Sequence, residues 1–254
     1  QLMTRFGDKP TEAIHGLAVG ITSIAAHHVK VNQDNLKELR AIGKRINLNV
    51  EGLREKNRDR LGQLDDPANM AKLLHLPEAL INKSTRAGLR PHKAALLVQA
   101  AVCVEILLYA PMRAKTLSTL SLDRHIRFIG KGRQRTAVIT VPAHEVKNNR
   151  DLHHELGPAS TRLLDYYLIK WRPVLLRAPS EYLFPAQNGG PKRKEHVSGL
   201  IKATIMEHTG LVIHTHLFRN IAAKVHSMAA PGDFVTLSHV LHNTLKTAMK
   251  NYAQ

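Results

Sequence analysis

The chain has 254 residues and a mass of 28.3 kDa, enough for one large domain or one domain with part of another, and 43% of it is hydrophobic, enough to fill a core. Its 37 Lys and Arg against 20 Asp and Glu give a formal charge of +17 and a pI near 10.3, which predicts a polyanionic partner, nucleic acid before others. A single cysteine, Cys103, excludes an internal disulfide framework and a cysteine zinc site, and fits a reducing compartment. No signal-peptide pattern is read at the start. The opening at Gln1 rather than Met leads to the expectation of a fragment.

Residues 1 to about 64 read as helices. Leu36, Leu39, Ile42 and Ile46 recur at three- and four-residue steps and make one apolar stripe. The charged run from Arg54 to Arg60 reads either as a solvated helix face or as an arm contacting phosphates. Asp65-Asp66-Pro67 is a helix stop and a candidate linker. A second region follows, with a helix over Leu73 to Lys83. The apolar run from Ala94 to Ala110, interrupted by Gln99 and Glu105, falls short of the ~20 apolar residues of a membrane span and predicts a buried helix. Pro111 closes it and Arg113 follows, ahead of a short helical stretch to Leu122.

Three β-type segments come next, over 125–129, 136–141 and 151–156. Gly130-Lys131-Gly132 turns between the first two, and residues 144–150 join the second to the third. The expected fold is therefore mainly α with a small three-stranded antiparallel sheet, an α+β arrangement. Leu163 to Trp171 is apolar at helical spacing, and Asn188-Gly189-Gly190-Pro191 is a strong turn signal. Val197 to His208 is helical and ends at Gly210, and the rest is helical with a break at Pro231-Gly232.

The chemistry lies in a few residues spread along this frame. A tyrosine that attacks a phosphodiester needs positive charge on the non-bridging oxygens, a way to lose its proton, and an acid for the leaving oxygen. Arginine serves the first need best, because its planar, permanently charged fork binds phosphate bidentately. Arg113 and Arg219 are the candidate clamps, and His216 lies three residues before Arg219 on one helix face, near an N-terminus with free N–H groups. His242 precedes Tyr252 by ten residues, about 15 Å on a straight helix, so a loop must intervene, with Asn243, Thr244 or Thr247 capping the helix that carries Tyr252. Tyr109 falls in the apolar helix, Tyr166 and Tyr167 in a Leu-rich one, and Tyr182 beside Leu183-Phe184. Only Tyr252 sits among polar and cationic neighbours, near Lys246 and Lys250.

In this order the residues resemble the tyrosine recombinase, or phage integrase, family. Arg113 in Ala110-Pro111-Met112-Arg113 matches its first arginine and His216-Leu217-Phe218-Arg219 its His-x-x-Arg box. Leu241-His242 stands at its third box, the segment from Lys246 to Tyr252 at its nucleophile box, and Leu183-Phe184-Pro185 at its Leu-Phe-Pro strand. The resemblance covers about residues 68 to 254. It implies a catalytic domain at 68–254, preceded by helices at 1–64 that are the remnant of a core-binding domain. It also implies a lysine between the second and third strands, for which Lys147 is preferred and Lys131 is the rival. Departures are Thr116 for a frequent Glu, Asn220 for a His, and no Gly before His242, with His239 a competitor at poorer spacing.

The resemblance further implies strand cleavage through a 3′-phosphotyrosyl link without metal or other cofactor. Double-stranded DNA is the expected partner, with a homotetramer on two sites, a monomer without DNA, and a cytoplasmic setting in a bacterium or phage host. Three alternatives stand beside it. One is a type IB topoisomerase, which uses a similar set of groups. Another is a DNA-binding protein without catalysis. The third is a metal protein drawing on the 16 His.

Overall fold

The computed structural model describes residues 11–46, 55–147, 149–241 and 244–252, except for the side chains of residues 12, 247 and 250–252. The chain divides into two units, Gln1–Glu51 and Gly52–Gln254. In the first, α1 (Glu12–Ile24) starts at Thr11, whose hydroxyl accepts the Ile14 N–H at 3.3 Å, and runs into a wider turn, Ala25–Val29, closed by Lys30 at φ 55°. It packs on α2 (Gln33–Ile46). The stripe on α2 is buried at Leu36, half-buried at Leu39 and Ile46, and exposed at Ile42.

The second unit is built around α6 (Pro91–Tyr109), which is buried on every side from Ala94 to Leu107 except at Leu96, Leu97 and Glu105. This helix is long and apolar enough to cross a membrane by length and composition, but 61% of its most apolar window is buried inside the protein. Before it stand α3 (Glu55–Gly62), α4 (Pro67–Leu74) and α5 (Leu76–Ser84). The single helix expected at 73–83 is thus two. Pro77 lacks the N–H that a continuous helix would bond back, and the chain turns at His75 (φ −89°, ψ 0°). Asp66 caps α4 by accepting the Ala68 N–H at 2.8 Å, and Leu64 just before it is buried in the main core.

After α6, α7 (Ala114–Ser118) and α8 (Leu122–His125) lead into the sheet. Strands β1 (Ile126–Ile129), β2 (Thr136–Val141) and β3 (Leu152–Leu156) form an antiparallel meander in the order β1-β2-β3, as expected. Ile126 pairs with Ile139, and Val141 with Leu152. One face is apolar: Ala137, Ile139, Val141, Leu152 and Leu156 all enter the core. Helix α9 (Pro158–Tyr166) continues through a wider turn, Tyr167–Trp171, into α10 (Arg172–Leu175). The fully buried Tyr167 donates its hydroxyl hydrogen to the Leu183 carbonyl at 3.2 Å.

Helix α11 (Lys194–Thr209) ends where Gly210 takes φ 75°, a left-handed value that suits glycine. Then come α12 (Leu217–Ala229), α13 (Phe234–Val240) and α14 (Leu245–Tyr252). Ala223, Leu237 and Leu241 make a small second cluster joining α12 to the end of α13.

Candidate active site

The first arginine stands where the core helix must stop. Pro111 cannot extend α6, and Ala110 and Met112 are buried at 0% and 1% exposure, so the bend that carries Arg113 is fixed in the core. Arg113 caps α7 with an extended backbone (φ −73°, ψ 150°) and is half-buried.

His216 is reached by an extended segment whose residues alternate. Leu211, Ile213 and Thr215 are buried, and Val212, His214 and His216 face outward to differing degrees. Its backbone is held from the N-terminal side of the unit. The Val212 N–H donates to Gln63 Oε1 at 2.9 Å, and His214 Nε2 lies 3.2 Å from Asn57 Oδ1. Thr215 shares a 3.1 Å hydrogen bond with Ser198 on α11, which ties the histidine turn to that helix. His216 is then the N-cap of α12 and Arg219 lies in its first turn. Arg219 donates from Nη1 to the Pro111 carbonyl at 3.0 Å, and from Nη2 to the Leu241 carbonyl.

A cavity of about 590 Å³ brings these segments together. Arg113, Lys147, Lys194, Glu145, Ser198 and His216 line it. They come from the α6–α7 bend, the β2–β3 connection, the start of α11 and the cap of α12. Lys147, in the β2–β3 connection, lines this cavity, and Lys131 lies in the β1–β2 turn. Partial burial, and then the charges of Arg113, Arg219, Lys147 and Lys194, hold the His216 pKa below the usual histidine range. At neutral pH His216 is therefore a neutral imidazole, able to accept a proton. Four cations close enough to depress an imidazole are also what a phosphate needs around it.

Lys194 is the member of this group that the sequence reading missed. Only the return of the chain through the Pro185–Pro191 bridge brings the start of α11 to Arg113, and no local pattern reports that. Lys192 takes part in that return. It donates to Gln99 Oε1 on the core helix at 2.9 Å, and its burial lowers its pKa.

His242 lies outside the described residues. Tyr252 is the last described residue of α14, and its side chain is outside that description. α13 and α14 are separate helices. Ala248 donates its N–H to the Thr244 carbonyl at 2.9 Å, the bond expected of a capping residue ahead of Leu245. Of the other tyrosines, Tyr167 is buried, but Tyr109 is 56% exposed, because it ends α6 past the edge of the core. His239 lines a different cavity, with Arg150 and His153. Among the described residues no group of three or more His, Cys, Asp or Glu could hold a metal ion.

The chain belongs to the phage integrase family, whose profile matches residues 77–254. No curated protein matches it. Among solved structures, XerH site-specific recombinase bound to difH substrate, a pre-cleavage complex, matches with a TM-score of 0.53 and 17% identity over 72% of this chain and 48% of that one. A post-cleavage complex of XerH with a palindromic difH substrate gives 0.50 and 17% over 68% and 46%. XerA recombinase gives 0.48 and 14% over 100% and 84%. At these identities the likeness is one of fold, that of the tyrosine-recombinase catalytic domain. The chain spans about half the length of the two XerH chains, 48% and 46%.

Proposed function

We propose that this chain breaks and rejoins DNA strands as a tyrosine-type site-specific recombinase. The observation that carries the reading is the convergence of Arg113, Lys147 and His216, with the charge of Arg219, on one cavity from distant parts of the chain. In the proposed step the Tyr252 oxygen attacks the scissile phosphorus and forms a 3′-phosphotyrosyl bond, while the bond to the 5′-oxygen breaks. Arg113, Arg219 and His242 hold the non-bridging oxygens. His216, neutral at pH 7, takes the tyrosine proton, and Lys147 gives a proton to the leaving 5′-oxygen. The bond energy stays in the protein link, so a 5′-hydroxyl from a partner strand reverses the reaction without ATP. The arginines supply the positive charge, so the step as written calls on no metal.

The partner is double-stranded DNA, in line with the charge of +17. On DNA the protein acts as a homotetramer pairing two sites; without DNA it is a monomer. Residues 1–64 serve as the remnant of a DNA-binding (core-binding) helical domain and 68–254 as the catalytic domain. The test begins by selecting a binding site from a random-sequence DNA library. A nicked duplex of that site is then incubated with the protein in EDTA and without ATP. The reading predicts a covalent protein–DNA species and a free 5′-hydroxyl, both lost in Tyr252→Phe, together with joining of two sites. Tight binding that never yields an adduct would leave a DNA-binding protein instead. Relaxation of a one-site plasmid without two-site joining would make it a topoisomerase.

A further inference from the structure

The lysine assigned to the leaving group sits on a connection held at several points. Between β2 and β3 the chain makes a short 3-10 turn, Ala143–Glu145, and Lys147 is exposed just beyond it. The ends of the connection are fixed by the Val141–Leu152 pair and by Asp151, whose carboxylate accepts the Ala143 N–H at 2.7 Å. Val146 puts one apolar side chain into the core. Glu145 adds an electrostatic tether. Glu145 Oε1 accepts from Arg124 Nη1 at 2.9 Å, and Glu145 Oε2 lies 3.3 Å from His125 Nε2. His144 Nε2 is 3.8 Å from the same carboxylate.

Both principal partners are themselves held. His125 is buried at 2% exposure, and its Nδ1 accepts the Ser121 N–H at 3.0 Å. That bond puts the ring proton on Nε2, the nitrogen beside Glu145, where it has no aligned hydrogen-bond partner among the described residues. Arg124 Nε lies 3.8 Å from Glu181 Oε2, which also accepts the Ser121 hydroxyl hydrogen at 2.9 Å. Ser121 in turn pairs with Tyr182 across a β-bridge, and Leu122 donates its N–H to the Glu181 carbonyl at 2.8 Å. Glu145 thus pairs with Arg124 and lies beside the buried His125, two residues before Lys147, and lines the same cavity as Lys147, Arg113 and His216.

We propose that Glu145, held by Arg124 and His125, is the positioning residue that keeps Lys147 at the leaving oxygen. The inference rests on the proposed role of Lys147 as the general acid. Cleavage breaks the bond from phosphorus to the 5′-oxygen, and the proton that neutralises that oxygen comes from the Lys147 ammonium. If the 5′-oxygen is replaced by sulfur, the leaving group is a thiolate. A thiol ionises near pH 8.5, far below an alcohol, so that leaving group needs no acid.

The test compares a selected-site duplex with the same duplex carrying a 5′-bridging phosphorothiolate at the scissile position, using the full chain. Lys147→Ala is expected to slow cleavage of the ordinary phosphate by about 10²–10⁴-fold and to recover on the sulfur substrate. Glu145→Gln is expected to slow the ordinary phosphate by about 10-fold and to recover in the same way, and Glu145→Asp to restore part of the rate on the ordinary phosphate. Arg113→Ala serves as the contrast and stays slow on both substrates, because its charge is needed whichever atom leaves. Thermal melts of each variant separate loss of fold from loss of positioning. The proposal is overturned if Glu145→Gln cleaves the ordinary phosphate at the wild-type rate, or is equally slow on both substrates. Failure of Lys147→Ala to recover would instead remove the general-acid assignment, and the inference with it.

Discussion

The two halves of the candidate site rest on different foundations. Arg113, Lys147 and the His216 turn stand on a core that runs without a break from Leu64 through α6 and the sheet to Ile221. The terminal helices that lead to Tyr252 rest on the small cluster of Ala223, Leu237 and Leu241, with Ala248 buried on α14. Burial free energy scales with apolar area, so among the described residues the first region has far more to hold it than the second. Among the described residues the candidate cradle is therefore built into the body, whereas the segment that leads to Tyr252 is docked on it. Arg219 joins the two, with one N–H on the Pro111 carbonyl of the body and another on the Leu241 carbonyl of the terminal segment.

That bridge is where the contrast breaks most sharply. Arg219→Ala removes the proposed phosphate clamp and both carbonyl contacts at once. Cleavage should fall by about 10²–10³-fold, the usual cost of losing one oxyanion donor, and limited proteolysis should open the chain after Leu241. Cutting that stays confined to the region before α12 would speak against the bridge.

Core truncations sharpen the difference between the regions. Leu107→Ala and Leu237→Ala remove the same atoms from fully buried sites, each at a cost of about 2–5 kcal/mol. Leu107→Ala should lower the melting temperature of the whole unit. Leu237→Ala should leave the main transition nearly unchanged and lower the yield of covalent adduct. Equal shifts of the main transition would show a single cooperative unit.

The smallest effect concerns Lys194. The depressed His216 pKa means that the neutral base survives as pH falls through 6.5 and is lost only below it. Removing one of the depressing cations moves that loss upward. In Lys194→Gln the acid limb of the cleavage profile should rise toward pH 6.5, and Lys194→Arg should restore it. The slope of log binding against log salt should also fall by about 0.9 if Lys194 meets a phosphate.

Much of this frame was legible in the sequence. The sheet could be read because β-branched alternation and the Gly130–Gly132 turn are local signals. Arg113 was legible because Pro111 ends an apolar helix there, and the His216–Arg219 pair because three residues make one helical face. The kink at His75 was missed, since the apolar pattern runs across it and Pro77 at the second position of a helix is also a starting signal. Tyr109 was placed with the buried helix, yet lies on the surface, because periodicity does not tell where along a helix the core ends. Lys194 and the Glu145–Arg124–His125 tether depend on contacts between segments far apart in the chain, which no window of sequence records.

The central claim is that Tyr252 is delivered to this cradle as the nucleophile. The most direct measurement is to trap the protein on a nicked selected-site duplex, digest it, and find by mass spectrometry which residue carries nucleotide. The account predicts the modification on the peptide containing Tyr252, and none in Tyr252→Phe. Nucleotide on the exposed Tyr109, or cut DNA with no nucleotide on any tyrosine, would contradict it.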